Sequence, residues 1–281
     1  MNLLGIDFED WYHPELVQKY VKDKKHEPRM FKGIDKILDM LRKNDTLATF
    51  FVVGELLESN PEIFDKIIEN EHEIAFHTMY HTRIDSPDFK QNFPKEIAKF
   101  SELTNKKSKG FRAPTFSLNE TSSWIIDSLS KFDYIYDSSV VPAKTDLYGL
   151  PNAQHRPYRI SSDLLENDTT DGKLIEFPLL VTKFLGKKVP AAGGFYLRTL
   201  PMRVIKNAIR QYEKQEIPAS FYIHSWELTP EHMPKIELPF KENFATYHNI
   251  NKAYNRMDEL LKQFEFTSFS NYISKGIHFS N

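Results

Sequence analysis

The sequence predicts an α/β fold, a mostly parallel sheet joined by helical crossovers and either open or closed into a barrel. Short apolar runs rich in β-branched and aromatic residues alternate with segments of helical period. Strand plus helix recurs roughly every 30 to 40 residues. Ionisable side chains gather at the carboxyl ends of the strand runs, where sheets of this class carry their active sites.

Strands are expected over residues 3–7, 48–53, 73–76, 110–112, 134–137, 174–177, 219–223 and 265–269. Between them, Met30, Phe31, Ile34, Ile37, Leu38 and Leu41 mark one amphipathic helix. Ile63, Phe64, Ile67 and Ile68 mark a second, with Asn60 as N-cap and Pro61 as its first residue. Val204, Ala208 and Tyr212 suggest a third. Ile250, Ala253, Tyr254, Met257, Leu260 and Leu261 give a fourth. Residues 140–201 are less periodic and rich in Pro, Gly and Asn, which predicts an elaborated loop region over one face. With 281 residues, 40% of them hydrophobic, and no linker or repeat, a single domain over 1–281 is expected.

Composition narrows the function. Net charge is −2 with Lys and Arg spread throughout, so neither a nucleic-acid groove nor an anionic membrane surface is indicated. Cys is absent, so any metal is held by nitrogen and oxygen. Asp7, Glu9 and Asp10 interrupt the N-terminal apolar run at once, which argues against a signal peptide. Apolar runs are too short for a transmembrane segment. A cytoplasmic protein is expected.

The chemistry-bearing residues lie at strand ends. His77 and His81, four apart, can meet on one side of a helical turn or compact loop. In an extended strand Asp7 and Glu9 share one face and Asp10 faces away, so one acid can bind a cation while the other takes a proton from water. Two imidazoles and a carboxylate hold a divalent ion and leave positions open. Arg112, held before Pro114, can clamp a carboxylate. Tyr136 with Asp137, and His224 with Trp226, end two further strands. His72 reads as structural, and His13 lies close enough to the acids to line the same cleft.

In order, Asp7-Phe8-Glu9-Asp10, His77-Thr78-Met79-Tyr80-His81, Arg112-Ala113-Pro114-Thr115-Phe116, Tyr136-Asp137-Ser138-Ser139 and Ile223-His224 resemble the five motifs of the polysaccharide deacetylases with NodB homology. The resemblance spans residues 7–224. Its first motif departs from the commonest form, which has two adjacent aspartates. That departure, with Ile175-Glu176-Phe177-Pro178 and Gly193-Gly194-Phe195-Tyr196-Leu197-Arg198, is similar to a branch tied to exopolysaccharide and surface-glycan synthesis.

The resemblance implies a distorted (β/α)-barrel of about seven strands and hydrolysis of the N-acetyl group of an amino sugar. It implies Asp7 as base, oriented by Arg112, and His224 as acid, kept charged by Asp137. Glu9, or else Asp10, holds the metal with His77 and His81. A backbone N–H near Tyr136 stabilises the oxyanion, and Ile223 and Trp226 wall the acetyl pocket. The metal implied is zinc, with cobalt, nickel or manganese compatible with the same donors. The substrate expected is an N-acetylated sugar or glycan precursor. Three alternatives remain: a non-catalytic glycan-binding relative, a same-fold amidohydrolase on a small non-sugar amide, and a non-haem iron oxygenase.

Overall fold

A computed structural model describes residues 1–21 and 26–276. Eleven strands are formed in these residues: β1 (Asn2–Phe8), β2 (Thr49–Val52), β3 (Glu73–Phe76), β4 (Gly110–Phe111), β5 (Tyr136–Asp137), β6 (Tyr158–Ile160), β7 (Leu174–Glu176), β8 (Val181–Phe184), β9 (Lys187–Pro190), β10 (Ser220–His224) and β11 (Phe266–Thr267). The main sheet runs β10-β1-β2-β3-β4-β5-β7-β6, with β11 paired to the first residues of β1, ahead of the stretch paired to β2. Seven of its strands, β10 through β7, are mutually parallel, and only β6 runs antiparallel. The sheet curls, and one parallel bridge between Leu179 and Ser220 joins its two ends. The result is the distorted barrel of about seven strands that the motifs implied.

Strand alternation sorts the side chains. Leu4, Ile6, Phe50, Ile74, Phe76, Phe111 and Ile223 point outward into the large core under the helices. There the helix Ile34–Lys43 buries Ile34, Ile37, Leu38 and Leu41, the stripe its spacing predicts. Inside the barrel, Leu3, Phe51, Ala75, Tyr136, Phe177 and Phe269 form a separate apolar plug. Tyr136 stacks on Phe269 with ring centroids 5.3 Å apart. Charged groups lie above that plug. Arg112 is wholly buried with its guanidinium 3.9 Å over the Phe51 ring. Gly5 makes this possible, because a Cβ there would stand 2.5 Å from an Arg112 nitrogen.

Two expectations are corrected. Residues 140–201 are not only loop, since they supply β6, β7, the hairpin β8–β9 and the helix Gly194–Thr199. The second helix is Glu62–Glu69 with Pro61 in the capping position, one residue later than Asn60. Of the two settings the spacing allows for His77 and His81, the structure has the compact loop. That loop is pinned by hydrogen bonds from the Gly54 and Glu55 N–H groups to the Thr78 and Met79 carbonyls.

Candidate active site

Register places Asp7 of β1 beside His224 of β10, both on the inward face at the strands' carboxyl ends. Arg112 reaches across to Asp7, its Nη1 donating to Oδ1 at 2.6 Å. Its other nitrogens donate to the carbonyl and hydroxyl of Ser138, so the guanidinium is fixed in one orientation. Removing either partner of so deeply buried a pair leaves an uncompensated charge, at about 3–5 kcal/mol.

Glu9 continues the alternation past β1 and is buried beside Asp7. Ser225 fixes its backbone, accepting from its N–H and donating to its carbonyl. The Trp226 indole N–H holds Oε1 at 2.8 Å. Oε2 lies 2.6 Å from His81 Nε2 without hydrogen-bonding geometry, and has no hydrogen-bond partner although buried. A buried carboxylate oxygen aimed at a bare imidazole nitrogen suits a shared cation.

His77 completes the set. Its Nδ1 donates to the Arg112 carbonyl at 2.7 Å, so Nε2 carries the free lone pair. Burial pushes its pKa down to about 4, so the ring is neutral at physiological pH. Ligand atoms of Glu9, His77 and His81 all lie within 4.8 Å of one another. Burial works against ionisation of Glu9, but the imidazoles of His81, His224 and His77 outweigh it and hold the carboxyl low. Backbone φ is positive at Thr78 and His81, 57° and 53°, a strained conformation that the pinned loop maintains around these ligands. The residues fit a divalent ion bound through nitrogen and oxygen.

Asp10 is turned away. Its carboxylate accepts from the N–H groups of Trp11, Arg29 and Met30, so it ties the following chain to β1 and is not part of this cluster. His13 also belongs to that framework, with Nε2 2.7 Å from Glu55. His72 accepts from the Ala48 N–H, buried away from the cleft.

Three further expectations meet different surroundings. Asp137 lies on the outward face of β5, where it accepts from Ser139 and sits beside Glu176, its register partner on β7. Burial raises the pKa of both carboxyls, and the neighbouring Asp137 raises Glu176 further. Tyr136 is plug, its hydroxyl donating to Glu73 at 2.8 Å and its N–H engaged by the Lys109 carbonyl. Ile223 faces outward into the core, and the inward neighbour that walls the cavity is Tyr222.

The partner of His224 is Glu227, whose Oε2 lies 2.6 Å from Nδ1. The short helix Ser225–Leu228 begins at His224 and brings Glu227 back under it, while Trp226 stacks on the imidazole at 5.0 Å. Arg198, also buried, donates to Glu227 Oε1 at 2.6 Å. Neither Glu227 nor Arg198 is among the expected site residues; the sequence signals for them are the spacing His224-x-x-Glu227 and the phrase Gly193–Arg198. Burial alone would lower the His224 pKa, but Glu227, Glu9 and Asp7 push it up to about 9. Its protonated form therefore persists through neutral pH and is lost as pH rises through about 9. Glu227→Gln is expected to move the alkaline limb of the kcat/KM profile to lower pH, because it deletes the largest charge opposing desolvation. An unmoved limb would show that Glu227 does not set the protonation of His224.

These groups surround a cavity of about 150 Å³ lined by Asp7, Glu9, His77, His81, His224 and Trp226, among others. Among the described residues, no helix is long and apolar enough to cross a membrane.

A polysaccharide deacetylase family model matches residues 31–133, and a domain of unknown function (DUF3473) matches residues 138–274. A chitooligosaccharide deacetylase of Bradyrhizobium sp. is 36% identical over 61 residues, 22% of this chain and 26% of its own length. A peptidoglycan-N-acetylglucosamine deacetylase of Bacillus cereus is 34% identical over 87 residues, 30% of this chain and 41% of its own. The chain thus spans well under half the length of these curated relatives. The crystal structure of a candidate polysaccharide deacetylase from Mycobacterium smegmatis superposes with a TM-score of 0.59 at 17% identity, covering 98% of this chain and 89% of that one. That likeness is one of fold.

Proposed function

We propose that the chain is a metal-dependent hydrolase of the polysaccharide deacetylase family, removing the acetyl group from an N-acetylated amino sugar in a polysaccharide or glycan precursor; the family match over residues 31–133 and the deacetylase relatives support this reading. The observation that carries this reading is Glu9 Oε2, buried without a hydrogen bond and directed at the imidazoles of His81 and His77. A metal held by these three residues supplies positive charge that polarises the acetyl carbonyl and makes a neighbouring water more acidic. Zinc suits the nitrogen and oxygen donors.

The chain's own residues do the proton work. Asp7, with Oδ1 fixed by Arg112, takes the proton of the attacking water on its other oxygen. His224, protonated at neutral pH, donates from Nε2 to the departing sugar amine, while Glu227 on Nδ1 holds the ring in place. Trp226 fixes Glu9 and covers one face of His224. The first-motif spacing and the phrase ending at Arg198 support a glycan destined for exopolysaccharide or the cell surface.

Cavity size favours an extended substrate. About 150 Å³ is below the roughly 300 Å³ at the small end of ligand pockets, so it takes the acetamido group and leaves flanking rings on the rim. Phe195 lines that rim, Phe244 lies 6.0 Å from it, and Phe240, one turn earlier on the helix Phe240–Tyr247, is 85% exposed. Phe244→Ala is expected to raise KM for N-acetylglucosamine oligomers about threefold to tenfold, the worth of one aromatic stacking contact. KM for the monosaccharide should stay put; an equal rise for both would remove the rim from recognition. The whole reading is tested by measuring metal content and acetate release over a panel of N-acetyl sugars and small cyclic amides. Metal-loaded protein that releases acetate from no sugar ends it.

A further inference from the structure

We propose that the face carrying the hairpin β8–β9 docks on an anionic lipid bilayer, with Leu185 inserting and the surrounding cations contacting the headgroups. Charge is spread evenly along the chain and sums to −2, which pointed away from such a surface. The fold, however, gathers cations here.

The two strands are closed by a two-residue loop, Leu185-Gly186, with Phe184 paired to Lys187. Both loop residues have positive φ, 49° and 78°, the signature of a type I′ turn. Such turns favour Asn or Asp before Gly, because a branched apolar residue is strained in the left-handed region. Leucine bears that strain here without packing in return, since it is 86% exposed and Gly186 beside it faces open space. A strained position that presents a large bare apolar side chain is accounted for by a partner, not by the stability of the hairpin.

Lysines flank the tip on both faces. Lys183 and Lys188 are paired across the strands and share one face, while Lys187 occupies the other. No acidic residue falls between Val181 and Pro190. On the Lys183 side, an open cleft of about 910 Å³ separates the hairpin from the helix Met202–Lys214. Its lining adds Arg203, Lys206 and Arg210 and contains no carboxylate. Lys206 is neutralised by Glu259, but Lys183 and Arg203 have no ion-pair partner among the described residues. A soluble anion has no use for an apolar tip, whereas an anionic bilayer complements both the tip and its collar.

The test is co-sedimentation of the whole protein with phosphatidylcholine vesicles, with and without phosphatidylglycerol. Binding is expected only with phosphatidylglycerol, weakening as salt rises. Leu185→Asn suits the turn better and should melt no lower than the wild type, yet lose about tenfold in partitioning. Lys183→Glu with Lys188→Glu should lose at least about twenty-fivefold, roughly fivefold per lysine near an anionic surface. Circular dichroism controls for folding in each variant. Wild-type protein left in the supernatant overturns the proposal, as does Leu185→Asn pelleting like the wild type. Release by millimolar inorganic pyrophosphate, equal in wild type and Leu185→Asn, also overturns it and makes the cleft a site for soluble anions.

Discussion

Asp7→Asn is expected to lower acetate release by about 10²- to 10⁴-fold while bound metal stays at the wild-type level. The amide oxygen can still accept from Arg112 Nη1 and the shape of the barrel interior is kept, although the guanidinium loses its counter-charge and the variant should melt lower than the wild type. What disappears is the ability to carry a proton away from the attacking water. Asp7 is also outside the cluster of Glu9, His77 and His81, so metal content should be insensitive to the change. Kinetics and elemental analysis on one preparation separate the two effects. If metal leaves together with activity, Asp7 is a ligand and the division of labour between the two acids is wrong.

His77→Ala should behave differently. It removes one of three ligating atoms and the hydrogen bond to the Arg112 carbonyl that sets the ring's tautomer. Losing an orienting partner alone typically weakens a metal site about 10- to 100-fold, so loss of the ligand itself should exceed about 100-fold. Activity is expected to fall with occupancy and to recover in part at high added metal. Competition with a chromophoric chelator gives the affinity directly. Wild-type affinity in His77→Ala would move the metal elsewhere and remove the basis for the proposed chemistry.

Much of the fold could be read from the chain because parallel strands buried on both faces appear as uninterrupted apolar runs. The expected strand over 73–76 coincides with β3, and β1 and β10 differ from expectation by one or two residues. Short strands were harder. β4 and β5 have two residues each, and β8 and β9 carry three lysines and an exposed tip, so periodicity has little to act on. Alternation brought Asp7 and Glu9 together without any structure. Applied to Asp137 or Ile223, it needs to know which face of the strand looks inward, and a sequence buried on both sides does not say. Glu227 was hidden for another reason. It lies within a helix only four residues long, which Ser225 and Trp226 anchor to Glu9 by hydrogen bonds.

Arg198 has one more implication. Besides Glu227 it donates to the carbonyls of Ala245, Thr246 and His248, so one buried cation staples the end of the helix Phe240–Tyr247 to the support of the proton donor. The anchorage uses main-chain oxygens, which every amino acid supplies. Mutational drift can therefore rewrite the side chains at the mouth, and with them the preferred sugar, without loosening the acid behind it. Insertions or deletions in that stretch have no such freedom, because they would shift the carbonyls themselves. Descendants of this scaffold should diversify by substitution at residues 240–247 and keep the length of that segment constant.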